Sequence, residues 1–202
     1  HFHRAVPGRP AGAGCQPPKL AATVATESAR TLLRGFTSVR DAGGPIFELK
    51  AAIDAGKMPG PRIWPSGAFV SQTSGHGDLR QPHERSRRFF GKPSMAEEMG
   101  ATFIADGRDE VLTAVRENLR MGASQIKLMA GGGTSSAYDP VDVTQYTFDE
   151  MRAAVEAAED WGTYVTVHAY TGRAVRRAIE AGVKCIEHGQ LLDEDTLKLM
   201  AE

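Results

Sequence analysis

The chain has 202 residues, of which 41% are hydrophobic, and its 24 Lys and Arg nearly balance its 25 Asp and Glu. This composition is ordinary for a soluble globular protein, and the near-zero charge gives no reason to expect a nucleic acid or an anionic membrane as a partner. No apolar run reaches the roughly 18 residues of a membrane span.

The cysteines indicate the cellular compartment, and the first residue indicates whether other residues precede the chain. The two cysteines, Cys15 and Cys185, lie far apart, so no disulfide framework is expected and nothing indicates an oxidising compartment. We therefore expect a cytoplasmic protein. Because the chain opens with His1 rather than Met, we also expect that residues precede it, and a targeting segment among them stays open.

Helix and strand patterns alternate along the chain after a Gly- and Pro-rich loop at residues 4–18. The hydrophobic spacing predicts helices over residues 19–34, 46–55, 109–121, 147–161, 173–181 and 193–201. The 147–161 helix opens with a capping box, Thr147-Phe-Asp-Glu150. Short β-rich runs predict strands over residues 36–40, 62–66, 125–130, 164–169 and 184–188. Between them, the long polar stretch at residues 70–107 is interpreted as a loop, either functional or disordered.

This alternation predicts an α/β fold whose parallel strands are joined by right-handed crossovers. An open doubly wound sheet and a closed barrel both satisfy the pattern. Lys127, His168 and His188 each lie in or at the end of a short apolar strand. In a (β/α) barrel the carboxyl ends of the strands meet on one face, so the three side chains would point into one cavity. An open sheet would spread them along a line, and the sequence therefore favours the barrel.

The residue types at these strand ends are those of a metal site. Each residue also has a structural interpretation. A lone His is often hydrogen-bonded in a core, and the aliphatic part of Lys127 could lie along the sheet while its ammonium reaches solvent. Burying a lysine unpaired would cost several kcal/mol or remove its charge. His1-Phe-His3 adds two imidazoles on one side of a strand, although a terminal His-x-His alone could be a tag remnant. Imidazole is a good ligand for zinc, and the repeated placement favours a metal site.

Eight motifs spread over nearly the whole chain form one pattern. They are His1-Phe-His3, Gly35-Phe-Thr-Ser-Val-Arg-Asp-Ala-Gly-Gly44, Gly60-Pro-Arg-Ile63, Ser74-Gly-His-Gly-Asp78, Ala105-Asp-Gly-Arg-Asp-Glu110, Gln125-Ile-Lys-Leu-Met-Ala-Gly-Gly-Gly133, Val165-Thr-Val-His-Ala-Tyr170 and Cys185-Ile-Glu-His-Gly-Gln190. Through them the sequence resembles the amidohydrolase superfamily. Within it, the chain resembles the imidazolonepropionase-related group that includes metal-dependent Xaa-Pro dipeptidases (prolidases).

The resemblance implies a partial (β/α)8 TIM-type barrel. Strands about 1 to 6 would be present with their helices, and the last two strands and the family's β-sandwich would be absent. Residues 1–202 would then form one incomplete metal-dependent hydrolase barrel domain, since a full barrel needs about 250 residues. The family's eighth strand carries an aspartate that binds metal and accepts a proton, and no residue before Glu202 matches it. We therefore expect the parent protein to be the enzyme and the 202-residue chain alone to be inactive.

The resemblance also implies a site for two divalent metal ions, expected to be zinc. His1 and His3 would bind the more buried metal, and His168 and His188 would bind the second. Lys127 would be carbamylated, and its carboxylate would bridge the two metals. A hydroxide between the metals would attack an amide carbonyl, because two divalent cations roughly 3.5–4 Å apart lower the pKa of a shared water and polarise the carbonyl.

His76 and Tyr170 complete the candidate site as substrate contacts. The resemblance suggests that they stabilise the carbonyl oxygen or hold a terminal carboxylate, since both side chains can donate hydrogen bonds. A loop-stabilising contact is an equal alternative for His76.

The leading functional hypothesis is a binuclear hydrolase that cleaves an amide C–N bond of a dipeptide such as Xaa-Pro or of an N-acyl amino acid. One alternative is a mononuclear cyclic amidohydrolase similar to imidazolonepropionase, and another is a non-catalytic barrel fragment. Lys127 separates the first two, because a bridging carbamate is needed only where two metals bind. The expected partner is a small-molecule or dipeptide substrate, with no nucleic acid or membrane, and homo-oligomerisation is left open.

Overall fold

The computed structural model describes residues 17–136 and 138–202, with side chains from residue 22 onward. Its helices are α1 (Pro17–Leu33), α2 (Phe47–Asp54), α3 (Arg87–Phe90), α4 (Met95–Glu98), α5 (Arg108–Arg120), α6 (Phe148–Asp160), α7 (Gly172–Glu180) and α8 (Glu194–Ala201). Its strands are β1 (Ser38–Asp41), β2 (Arg62–Pro65), β3 (Phe69–Ser71), β4 (Thr102–Ile104), β5 (Ile126–Met129), β6 (Val165–Thr171) and β7 (Cys185–Leu191).

The six predicted helices are confirmed, with ends within two residues of those expected. The capping box that starts α6 is also confirmed, because the Thr147 side chain accepts from the Glu150 backbone N–H and Glu150 accepts from the Thr147 backbone N–H. The five predicted strands are present as β1, β2, β5, β6 and β7.

The interpretation of residues 70–107 as a loop is wrong. This stretch contains most of β3, the short helices α3 and α4, and β4. β3 and β4 pair in parallel, with Val70 opposite Phe103. Each of these strands has only three residues, which is too short for an alternating pattern to be recognised. Ser94 begins α4 with a second capping box, in which Glu97 is the partner.

The strands form two parallel sheets among the described residues. One contains β1 and β2, and the other has the order β4-β3-β5-β6-β7. The end of β2 meets the start of β5, where the Ser124 N–H donates to the Pro65 carbonyl at 2.7 Å. The parallel pairing confirms the α/β class. Strands 1 to 6 of a barrel stay an interpretation, because the strand expected at His1 and His3 lies outside the described residues.

The core lies between β5 and β6 and the helices α5, α6 and α7. Both strands are buried along most of their length, and α6 contributes Met151, Val155 and four buried alanines to the core. Full burial of each large aliphatic side chain contributes about 1.5–3 kcal/mol, so this region gives the neighbouring strand ends a rigid support. In the part of the chain that the structure describes, no helix is both long and apolar enough to cross a membrane.

Candidate active site

A cavity of about 300 Å³ opens at the carboxyl ends of β5 and β6. It is lined by Ala42, Phe69, His76, Gly77, Leu79, Lys127, Met129, Ser135, Ser136, His168, Tyr170 and His188. Five of the seven residues that the sequence predicts for the site are therefore together at one cavity. The other two, His1 and His3, lie outside the described residues.

Lys127 is the most unusual residue of this cavity. It is 1% exposed, and its Nζ has no hydrogen-bond partner among the described residues. Burial lowers the pKa of Lys127 to about 8, although the negative charge of Glu187 opposes the shift. A substantial neutral fraction therefore exists at mildly alkaline pH, and a neutral amine is the form that reacts as a nucleophile.

His168 projects from β6 beside Lys127 and is 4% exposed. Its Nε2 lies 2.9 Å from the carbonyl oxygen of Gly132. Because a carbonyl oxygen only accepts hydrogen bonds, Nε2 carries the proton. The ring therefore presents the lone pair of Nδ1 to its other side. Burial, followed by the nearby His76, lowers the pKa of His168 to about 3, so the ring stays neutral, as a metal ligand must be.

His188 comes from β7, where Ala169 of β6 is its register partner. Its ring centroid lies 4.8 Å from that of His168. The expectation that the strand ends at His188 is wrong, because β7 continues to Leu191. His188 instead has a φ of 84°, which is rare for a residue with a side chain, and the register between β6 and β7 shifts just beyond it. This local distortion re-aims the side chain within the strand.

Tyr170 is the next inward residue of β6 after His168. Its ring stacks on His188 at a centroid distance of 5.3 Å and meets the His168 ring edge-on at 5.0 Å. The tyrosine ring thus contacts both imidazoles.

His76 faces the same cavity from the segment after β3. Its ring stacks on His168 with a centroid distance of 4.0 Å. Its Nδ1 lies 2.9 Å from Asp139 Oδ2 and 2.8 Å from Ser136 Oγ. Sequence reasoning missed Asp139 and Ser136. The only available signal was the Gly131–Gly133 run before them, which indicates a tight loop but not its contacts.

A polar layer beneath the cavity was also missed. Glu187 of β7 accepts a hydrogen bond from Thr166 Oγ1 at 2.7 Å and forms an ion pair with Arg40 of β1 at 2.5 Å. Burial raises the pKa of Glu187, but the Thr166 hydrogen bond and the charges of Lys127 and Arg40 outweigh burial and lower it overall. This layer holds an ionised carboxylate below Lys127.

The family model for the amidohydrolase family matches residues 4–202. The chain belongs to the amidohydrolase family. Ochratoxinase from Aspergillus niger is 35% identical to it over 195 residues, which are 95% of this chain and 41% of the ochratoxinase.

Two solved structures are also similar to this amidohydrolase chain. A prolidase complexed with N-methylphosphonate-L-proline is 46% identical with a TM-score of 0.86, over 92% of this chain and 45% of that chain. A Xaa-Pro dipeptidase with bound methionine in its active site is 34% identical with a TM-score of 0.80, over 93% and 45%. The chain thus spans less than half the length of these relatives.

Amidohydrolases generally use divalent metal ions, and the donors present here fit part of such a site. Within residues 17–136 and 138–202, no group of three or more His, Cys, Asp or Glu is placed to hold a metal. The described cavity offers the imidazoles of His168 and His188 as predicted ligands, beside His76 and the amine of Lys127, whereas zinc takes about four ligands. The unpartnered Lys127 Nζ is the feature that fits best, since a carbamate there would supply the oxygen donors that the imidazoles lack.

Proposed function

We propose that the full-length protein is a binuclear metal-dependent hydrolase that cleaves an amide bond of a dipeptide such as Xaa-Pro or of an N-acyl amino acid. The observation that carries this proposal is the buried Lys127, whose Nζ has no hydrogen-bond partner among the described residues. Lys127 lines the same cavity as His168 and His188.

A carbamate on Lys127 accounts for that environment. A buried, unpaired ammonium costs several kcal/mol, and its lowered pKa makes the neutral amine accessible. Addition of carbon dioxide to the neutral amine forms an N–C bond and releases one proton, which leaves an anionic carboxylate. The buried donor without a partner then becomes a metal ligand with two oxygen atoms.

The metal ligands would be His1, His3, Lys127, His168 and His188. His168 is prepared for this role because its Nε2 donates to Gly132 O and leaves Nδ1 as the ligand atom. Such an outer hydrogen bond fixes the tautomer and the ring orientation of a ligating histidine. When bound, the metals supply an activated water and polarise the amide carbonyl.

The substrate class is inferred from the cavity and from the relatives. About 300 Å³ is at the small end of ligand cavities, as suits a dipeptide-sized molecule. The 46% identical prolidase is complexed with N-methylphosphonate-L-proline. The 34% identical structure is named as a Xaa-Pro dipeptidase. On the wall of the cavity, His76 and Tyr170 would both contact polar groups of the substrate, with Tyr170 donating to the carbonyl oxygen or a terminal carboxylate. Phe69 and Leu79 would contact apolar parts.

The test is metal analysis and turnover of the full-length protein on a panel of Xaa-Pro dipeptides and N-acyl amino acids. We expect about two divalent ions per chain, activity that a chelator removes and zinc restores, and a carbamate signal from ¹³C-bicarbonate. Lys127→Ala should lose the carbamate signal and most activity, and added short carboxylic acids should restore part of it. The matched control is Lys184→Ala, which should keep both, because Lys184 is an exposed lysine directly before β7.

The alternatives give different results. One tightly bound ion in an active protein with Lys127 intact would favour the mononuclear cyclic amidohydrolase. Absence of metal-dependent turnover on cyclic and linear amides alike would favour a non-catalytic protein.

A further inference from the structure

The segment between β5 and α6 folds back over the cavity. The Gly133 N–H donates to Asp139 O at 3.2 Å, the Gly132 N–H to Val143 O at 3.1 Å, and the Gln145 N–H to Ala130 O at 2.8 Å. We call residues 131–146, without residue 137, the glycine loop. Its backbone is thereby held against the end of β5.

The glycine loop touches two imidazoles of the site. Gly132 accepts from His168, and Gly133 lies against His76. A Cβ at Gly133 would lie 2.1 Å from both Cε1 and Nδ1 of His76. The loop backbone therefore approaches the Nδ1 edge of His76 more closely than any residue with a side chain would allow.

Asp139 is the charged side chain at that edge. Its side chain is fully buried, with Oδ2 at 2.9 Å from His76 Nδ1, and its Oδ1 has no hydrogen-bond partner among the described residues. A buried carboxylate is costly without donors, so the contact with His76 is important for the stability of the loop. The His76 backbone N–H is held separately by Gln145 Oε1 at 3.0 Å.

We infer that Asp139 is a positioning residue for His76, an inference that rests on the proposed function. A carboxylate only accepts hydrogen bonds, so it requires the proton of the neutral ring on Nδ1. Nε2 is then the ring nitrogen that faces a molecule in the cavity. Ser136 also contacts Nδ1, but a hydroxyl both donates and accepts and cannot select the tautomer.

This arrangement sets how His76 meets the substrate. In a neutral ring whose Nδ1 carries the proton, Nε2 accepts a hydrogen bond or a proton. His76 would then meet an N–H of the substrate, and the carbonyl oxygen or terminal carboxylate would be held by the Tyr170 hydroxyl. The orientation is fixed before substrate arrives, which lowers the cost of ordering the site. Asp139 would act only through His76, since its own side chain is shielded from the cavity.

The test is Asp139→Asn in the full-length protein. Asparagine keeps the side-chain shape but accepts more weakly and can donate to Nδ1, which favours the other tautomer. We expect kcat/KM for the best dipeptide of the panel to fall by about 10–100-fold, the range for losing the hydrogen-bond partner of an active-site imidazole. The metal content should stay unchanged.

Asp142→Asn is the matched control, because Asp142 is exposed on the same loop. It should change kcat/KM by less than about 2-fold.

A double-mutant cycle separates positioning from general loop damage. In a His76→Ala background, Asp139→Asn should cost less than about 3-fold, because the ring on which it acts is gone. Multiplicative losses would overturn the inference.

A measurement independent of turnover is ¹⁵N NMR of labelled histidine rings, with the His76 signals assigned from His76→Gln. The neutral ring should carry its proton on Nδ1 in the unaltered protein and on Nε2 in Asp139→Asn. A ring protonated on Nε2 in both would overturn the inference. If the protein hydrolyses no amide, the proposed function fails, and the NMR result alone decides the role of Asp139.

Discussion

β6 and β7 lie side by side, and each carries one histidine of the cavity, but the two strands have different surroundings. β6 is buried from Val165 to Ala169, whereas β7 is only partly buried and becomes exposed toward Leu191. His168 is almost fully buried and bonded to the glycine loop. His188 is exposed and has a positive φ.

This difference shows that residues with the same predicted role can be held in different ways. His168 is oriented by packing and by the Gly132 carbonyl, both of which are present without metal. His188 is oriented by the distortion of β7 and by stacking with Tyr170. We therefore expect changes around His168 on β6 to alter the unfolding free energy of the metal-free protein more than changes around His188 on β7.

The largest expected effect is a loss of stability in acid that comes from His168. Its folded pKa of about 3 is below the ordinary value of 6.5. The unfolded chain therefore binds more protons between these values, and stability falls as the pH drops through that window. Between pH 7 and 4.5 the metal-free protein should lose about 3 kcal/mol of unfolding free energy from this group.

Urea unfolding at several pH values measures this loss. His168→Gln should lack this part of the pH dependence, whatever its stability at pH 7. Lys127 adds little slope in the window, because a pKa of about 8 leaves it protonated in both states. Equal pH slopes for the variant and the unaltered protein would contradict the prediction.

A smaller effect is expected from two glycines, Gly132, which accepts a hydrogen bond from His168, and Gly189 within β7. A Cβ at Gly132 would lie 1.8 Å from the Pro140 carbonyl oxygen, so Gly132→Ala must move backbone. We expect a loss of about 2–3 kcal/mol, typical of overpacking. At Gly189 the nearest atom to a Cβ is Leu192 Cδ1 at 3.4 Å and φ is 65°, so Gly189→Ala should cost only the left-handed strain of about 1 kcal/mol. Urea unfolding that reverses this order would show that β7 is the more rigid side.

Much of the fold could be predicted because its signals are local. The capping box at Thr147, the amphipathic helices and the apolar runs around Lys127 and His168 depend on neighbouring residues. β3 and β4 could not be predicted, because three-residue strands are defined by their pairing across residues 69–104 and not by their own pattern.

The site shows the same division. Lys127, His168 and His188 could be selected as chemical groups at equivalent places in successive units. The contact of His76 with Asp139 joins residues 63 positions apart, and its geometry depends on how the glycine loop closes. The distortion at His188 likewise depends on the register with β6, which no local pattern reports.

The smallest predicted effect concerns the hydrogen bond that joins β6 to β7 below the cavity. Thr166 Oγ1 donates to Glu187 Oε1 at 2.7 Å, and Arg40 pairs with the same oxygen at 2.5 Å. Thr166→Val removes the donor while keeping the side-chain shape. Glu187 keeps its ion pair with Arg40, so the loss should be about 1 kcal/mol rather than the larger penalty of an unpaired buried charge.

Urea unfolding of the metal-free protein at pH 7 measures the effect of Thr166→Val. Thr113→Val is the matched control, because the exposed Thr113 donates to the Asp109 carbonyl of its own helix. It should change stability by less than about 0.5 kcal/mol. A loss of about 3 kcal/mol or more for Thr166→Val would mean that Arg40 does not hold Glu187 by itself. Glu187 would then depend on the Thr166 hydrogen bond, which would add to the backbone pairing of β6 and β7 more than the exposure of β7 indicates.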